Sequence, residues 1–172
     1  ARAKARAEEG ADGAEGASAG PVTTAAEAKA KGAESIQRSE TPRAAPKPGM
    51  LTLIHWNVGG MNGLLNNEER KARLAELVET EKPDLLAFSE HKLSEEKRDA
   101  CEATLLKLLP GYTAHWAVCT AKKGYSGVAI LVKEGTAVLS TEVDQVEATL
   151  HEGRTLTVEL EHCIAVAAYV PN

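Results

Sequence analysis

Asn57 and Glu90 are polar residues that close apolar runs. Asn57 comes near the end of LTLIHWNV (51–58), just before Gly59 and Gly60, and Glu90 ends DLLAFSE (84–90). An amide and a carboxylate brought side by side offer oxygens to a hard divalent cation such as Mg2+, which commonly takes one or two carboxylates and keeps several waters. The same two residues equally suit a plainer role, each hydrogen-bonded into its own loop. Tyr169 and Asn172 leave the last apolar run in the same manner, a phenol and an amide flanking Val170 and Pro171. A Tyr in that setting can simply satisfy its hydroxyl. The loop 121–127 (AKKGYSG) sets Lys122, Lys123, Gly124 and Gly127 around Tyr125. It can approach a phosphate backbone closely or lie as solvated surface.

The elements that must position these residues are legible in outline. The run 51–58 reads as a strand apolar on both faces, hence central in a sheet. Asn66 or Asn67 can cap a helix to about Glu81, with Leu74, Leu77 and Val78 on one face and Pro83 beyond its end. The run 84–90 is a second buried strand, so strand, helix and strand make a βαβ unit with parallel strands. Asn57 and Glu90 then share one sheet edge, beyond the carboxyl ends of strands where ligands collect in open α/β sheets. A second helix is expected from Ser94, an N-cap, to Leu109, with Cys101, Leu105, Leu108 and Leu109 as its apolar stripe. Strands follow at 112–119, 128–133, 137–142, 155–160 and 163–170, the last two joined in a tight hairpin at Glu161 and His162.

Composition divides the 172 residues in two. Residues 1–48, about one-third alanine and without Phe, Trp or Tyr, cannot bury enough apolar surface to offset their ordering entropy and are expected to be a disordered tail. Arg2, Lys4 and Arg6 suit the remnant of an organelle transit peptide, but Glu8, Glu9, Asp12 and Glu15 follow at once, which favours a solvated tail. All aromatic residues and all cysteines lie in 49–172. Cys101, Cys119 and Cys163 are odd in number and lack CxxC spacing, which fits buried thiols better than a disulfide frame or a zinc site. No apolar run approaches the roughly 20 residues that span a bilayer.

Taken together these pieces resemble the exonuclease III and apurinic/apyrimidinic endonuclease branch of the endonuclease/exonuclease/phosphatase superfamily. His55-Trp56-Asn57-Val58 with Gly60 is similar to its opening W-N-x-x-G strand, and Pro83-Asp84-Leu85-Leu86-Ala87-Phe88-Ser89-Glu90-His91-Lys92 to its P-D-[aliphatic]2-x-x-Q-E-x-K signature. Lys123 to Ala129 (KGYSGVA), Glu152-Gly153-Arg154 and Ala168 to Asn172 (AYVPN) are similar to its later G-Y-S-G-V, E-G-R and Y-V-P-N motifs. The resemblance implies an α/β fold, half of a four-layer αββα sandwich: one mixed β-sheet with helices on one face, its inner face left apolar and open. It implies hydrolysis of the DNA phosphodiester 5′ to an abasic site, with Mg2+, or alternatively Mn2+, as cofactor. Glu90 would be a carboxylate ligand of that cation and Asn57 part of the same metal and phosphate network. Tyr169 would contact the scissile phosphate or the nucleophile, Asn172 would hold a phosphate oxygen, and Gly124 and Tyr125 would touch the DNA backbone. An extruded abasic nucleotide has no base to unstack, which helps selectivity.

The sequence also departs from that pattern. The family's G-D-x-N, R-L-D-Y and S-D-H segments do not occur, so 49–172 is expected to be the N-terminal half of a longer domain that is a monomer when complete, and inactive alone. Ser89 replaces Gln, His91 replaces Thr, Asn62 falls where an Arg often meets phosphate, and Gly59 stands where many relatives carry Asp or Asn, which removes an outer-shell oxygen. Residues 49–172 carry 12 basic and 18 acidic residues, so DNA would be met by a local patch, Lys92, Lys122, Lys123 and Arg154, rather than by overall charge. The alternatives are a retroelement-type endonuclease or other phosphoesterase of the superfamily, and a non-catalytic module that binds DNA or a partner. A repair substrate points to the nucleus, with mitochondrion or plastid as the alternative.

Overall fold

The computed structural model describes residues 49–171; the expected tail 1–48 and Asn172 lie outside the described residues. The elements are β1 (Leu53–Asn57), α1 (Met61–Leu65), α2 (Glu68–Glu81), β2 (Leu85–Ser89), α3 (Glu95–Leu108), β3 (Tyr112–Ala117), β4 (Val128–Lys133), β5 (Val138–Val143), a 3-10 turn (Glu147–Thr149), β6 (Thr155–Leu160) and β7 (Ile164–Ala168). No helix among them is long and apolar enough to cross a membrane. Four strands form a mixed sheet in the order β1-β2-β4-β3, with β1 and β2 parallel and the other pairs antiparallel. Three form a second, antiparallel sheet in the order β5-β6-β7.

Successive side chains of a strand point to opposite faces, and β2 shows what that achieves. Leu86 and Phe88 face the helices with Leu131 of β4, packing on Met61 and Leu64 of α1, Leu74 of α2 and Leu105 of α3. Leu85 and Ala87 face the other way with Val128, Ile130 and Val132, packing on Leu156, Val158, Leu160, Ala165 and Ala167 of the second sheet. The result is three layers, helices, mixed sheet and second sheet, with β2 buried along its whole length.

The α/β class, the mixed sheet with helices on one face, the βαβ unit and the tight β6–β7 turn match the expectations from sequence. Two details differ. The inner face of the mixed sheet is not open, because β5–β7 leave that sheet and β6 and β7 cover it: the alternating buried positions of those two strands make one apolar face that needs a partner, while β5 is exposed along most of its length. Moreover β1 is an edge strand rather than a central one, and Leu53 stays 54% exposed. Apolar residues on both faces of β1 do not by themselves create a neighbour on its outer side. Asn67 caps α2 by accepting from the Arg70 N–H at 2.9 Å. Ser94 precedes α3 without capping its backbone, its hydroxyl donating instead to the Glu96 carboxylate at 3.1 Å.

Candidate cation and phosphate site

Parallel register sets Asn57 opposite Ser89, so Glu90 emerges one residue further along the same edge. The Asn57 Nδ2 donates to Glu90 Oε1 at 2.9 Å, while Asn57 Oδ1 accepts the Gly59 N–H at 3.0 Å. Those two partners fix the orientation of the amide: it turns its nitrogen to the carboxylate and spends its oxygen on the turn. Asn57 therefore orients Glu90 in this arrangement.

Beyond Glu90 the chain takes an unusual path. Glu90 and Lys92 both have φ of +55°, in the left-handed region that side chains with a Cβ rarely adopt. Backbone contacts hold it there: the N–H groups of His91 and Lys92 donate to Gly127 O (3.2 Å) and Ser126 O (2.9 Å), and His91 O accepts from Met61 N–H (2.9 Å). In consequence His91 enters the core while Glu90 and Lys92 meet outside it, with Lys92 Nζ 2.8 Å from Glu90 Oε2. The buried His91 ring is 1% exposed, donates from Nε2 to Ala117 O (3.1 Å) and accepts the Leu93 N–H at Nδ1 (3.0 Å). This pattern requires a neutral imidazole, and burial pushes its pKa down to about 4. Gly127 lies against that ring at φ +92°, where a Cβ would come within 2.2 Å of it.

Asn57 first, then Lys92, then the Tyr169 hydroxyl hold the Glu90 carboxyl below its ordinary range, against the opposing effect of burial. Glu90 in turn raises Lys92. The Tyr169 phenol is raised by desolvation first and next by its approach to Glu90. Asn57, Glu90, Lys92 and Tyr169 thus form one cluster in which, at neutral pH, Glu90 is a carboxylate, Lys92 an ammonium and Tyr169 a neutral phenol.

A second cluster adjoins it. The Tyr169 N–H donates to Arg154 O at 2.8 Å, and Arg154 Nη2 donates to the Tyr125 hydroxyl at 3.2 Å. Lys122 Nζ stands 5.1 Å and the Arg154 guanidinium 5.8 Å from the Tyr125 ring centre, distances at which cations are attracted to an aromatic face. Gly124, at φ +70°, brings its loop against Lys92 O. Lys123 is turned away, paired with Glu96 of α3 at 2.8 Å. Of the expected residues, Asn57, Glu90, Lys92, Gly124, Tyr125, Arg154 and Tyr169 come together along one edge, and Asn172 lies outside the described residues.

One residue escaped the sequence reading. Asp144 is buried at φ +47°, and its carboxylate accepts the N–H groups of Gly153 (2.7 Å), Arg154 (2.8 Å) and Thr155 (3.2 Å). It fixes the turn that presents Arg154. Gly153 in that turn presses on the backbone of Ala117–Cys119 so closely that a Cβ would lie 2.6 Å from it.

Among the described residues no three His, Cys, Asp or Glu side chains gather to hold a metal ion. A cation would rest on Glu90, with water and phosphate oxygens completing its shell, a set that suits Mg2+ better than a softer metal. Groups that suit an anion also stand nearby, Lys92, Lys122, Arg154 and the hydroxyls of Tyr125 and Tyr169, with the Arg154 guanidinium also ion-paired to Glu152.

The chain resembles known proteins in sequence and in fold. Residues 54–164 match the family described as Endonuclease/Exonuclease/phosphatase. The chain is 32% identical over 171 residues to the DNA repair nuclease APEX1 of Danio rerio, covering 96% of this chain and 51% of that one. It is 29% identical to the exodeoxyribonuclease of Bacillus subtilis (strain 168), covering 71% of this chain and 43% of the relative. Among solved structures, the AP endonuclease LMAP from Leishmania major superposes with a TM-score of 0.57 at 30% identity, over 71% of this chain and 40% of that one. The chain spans about half the length, or less, of the curated relatives it matches.

Proposed function

The chain belongs to the endonuclease/exonuclease/phosphatase family, a family of divalent-metal-dependent phosphoester hydrolases, and from that premise we propose that it serves a DNA-repair endonuclease acting 5′ to abasic sites with Mg2+. The observation that carries the reading is the Glu90 carboxylate, oriented by Asn57 and flanked by Lys92 and Tyr169 at the edge where Tyr125 and Arg154 also converge. A divalent cation held there would neutralise phosphate charge and stabilise the developing oxyanion. Asn57 keeps Glu90 ionised and aimed. Tyr169 offers a hydroxyl to a phosphate oxygen or to the attacking nucleophile. Arg154 and Lys122, stiffened by their contacts with the Tyr125 ring, suit phosphates of the flanking backbone. DNA repair and AP endonuclease names among the relatives support the choice of substrate.

The test uses this chain, alone and within any longer protein that contains it, with duplexes that carry or lack one tetrahydrofuran abasic analogue. Incision of the abasic duplex with Mg2+, leaving a 3′ hydroxyl, and its loss in Glu90→Gln support the proposal. Equal cleavage of the intact duplex would instead identify a general nuclease of the family. Tight binding without cleavage would identify a DNA-binding module, a reading that the single carboxylate at the site favours.

A further inference from the structure

We infer that Lys92 is a resident counter-cation of the Glu90 site: its ammonium occupies the carboxylate before a divalent cation does, and cation binding displaces it toward the substrate's phosphate. The inference rests on the proposed cation site and says how that site is regulated.

Three observations support it. Both Glu90 oxygens are already engaged, Oε1 by Asn57 at 2.9 Å and Oε2 by Lys92 at 2.8 Å, so a cation that takes the carboxylate meets Lys92 first. The fold fixes where the pair meets: Glu90 and Lys92 both have left-handed φ, and with His91 between them buried in the core, their side chains meet outside it. Finally, the lysine is the partner free to leave. Its side chain is 41% exposed against 19% for Glu90, whose carboxylate is also tied to Asn57, and a lysine stem has the rotatable bonds to swing aside while its N–H stays on Ser126 O.

The consequence is a coupling. An ammonium and a divalent cation within contact distance of one carboxylate repel each other, so Lys92 weakens cation binding in the free protein. A phosphate that draws Lys92 away removes that competition, and the bound cation in turn releases Lys92 to the phosphate. By linkage each ligand strengthens the other by the same factor. The site then fills chiefly when nucleic acid is present.

Mn2+ binding, followed by electron paramagnetic resonance on the 172-residue chain, tests this in Lys92→Met and Lys92→Gln, with Glu90→Gln as control and circular dichroism to confirm folding. Both lysine variants are expected to bind Mn2+ on the order of 3- to 10-fold more tightly than the parent, because a competing charge at a partly exposed pair has been removed. A gain of affinity is a result that a merely structural lysine would not give. Unchanged or weaker Mn2+ binding in both variants overturns the inference while leaving the cation site standing. If neither the parent nor the variants bind Mn2+ at millimolar concentration, or if Glu90→Gln binds it equally well, the cation site itself fails.

Discussion

His91 gives the fold a specific sensitivity to acid. The ring is buried, its Nδ1 is committed to accepting the Leu93 N–H, and its pKa lies at about 4 against an ordinary 6.5. Protonation would turn Nδ1 into a donor facing another donor and place a charge in the core beside Trp116, whose ring meets it edge-on at 5.3 Å. Because the folded value is depressed, the unfolded chain binds the extra proton between pH 6.5 and about 4. Stability from this residue is complete above pH 6.5 and is lost as pH falls through that window. At about 1.4 kcal/mol per pH unit the full loss is about 3 kcal/mol, and about 2 kcal/mol of it is gone by pH 5. Against a typical domain stability of roughly 5–15 kcal/mol, that moves a urea midpoint measurably. Urea unfolding at pH 7.5, 6.5, 5.5 and 5.0 is the assay, on the parent and on His91→Asn, whose side-chain oxygen can still accept the Leu93 N–H. The parent should lose about 2 kcal/mol more than His91→Asn between pH 7.5 and 5.0. Parallel pH profiles for the two proteins would refute the reasoning.

Three further perturbations have defined outcomes. Gly127→Ala should cost about 3–5 kcal/mol in urea unfolding, since a Cβ at φ +92° would sit 2.2 Å from the His91 ring, and adding His91→Ala should recover part of the loss. Gly59→Asp, at φ +59° with open space around a Cβ, is a tolerated left-handed position for Asp; a second carboxylate beside Asn57 should tighten Mn2+ binding at least several-fold in calorimetry. Asp144→Ala removes the acceptor for three N–H groups and should cost roughly 2–4 kcal/mol. If the protein binds abasic duplexes as proposed, it should also lower the salt dependence of that binding by about one phosphate contact, as Arg154→Ala should, with no additional effect when the two are combined.

The parts of the fold visible in the sequence are those set by local pattern. The two apolar runs around one amphipathic helix dictated parallel β1 and β2, and that register alone was enough to bring Asn57 beside Glu90. The edge position of β1 was not visible, because Ile54 and Trp56 on one face and Leu53 on the other read the same with or without an outer neighbour. Nor was the second sheet: strands β6 and β7 alternate as any half-buried strand does, and which apolar face they cover is decided by pairing far along the chain. Helix α1, five residues with Gly63 inside it, is too short to leave a periodic signal. Within the site, Glu90, Lys92 and Tyr169 could be singled out by type and motif. Asp144 could not, because a single aspartate between strands looks like any turn residue until its three backbone donors are seen. The inward turn of His91 depends in the same way on left-handed backbone at its two neighbours.

The most direct test of the central claim is paramagnetic broadening of backbone amide signals as Mn2+ is titrated into the isotopically labelled chain. Residues 57–60, 89–92 and 169–170 should lose intensity first, and Glu90→Gln should remove the effect. Broadening centred on exposed carboxylates elsewhere, such as Glu68 and Glu69 of α2, or persisting unchanged in Glu90→Gln, would contradict a cation site built on Glu90.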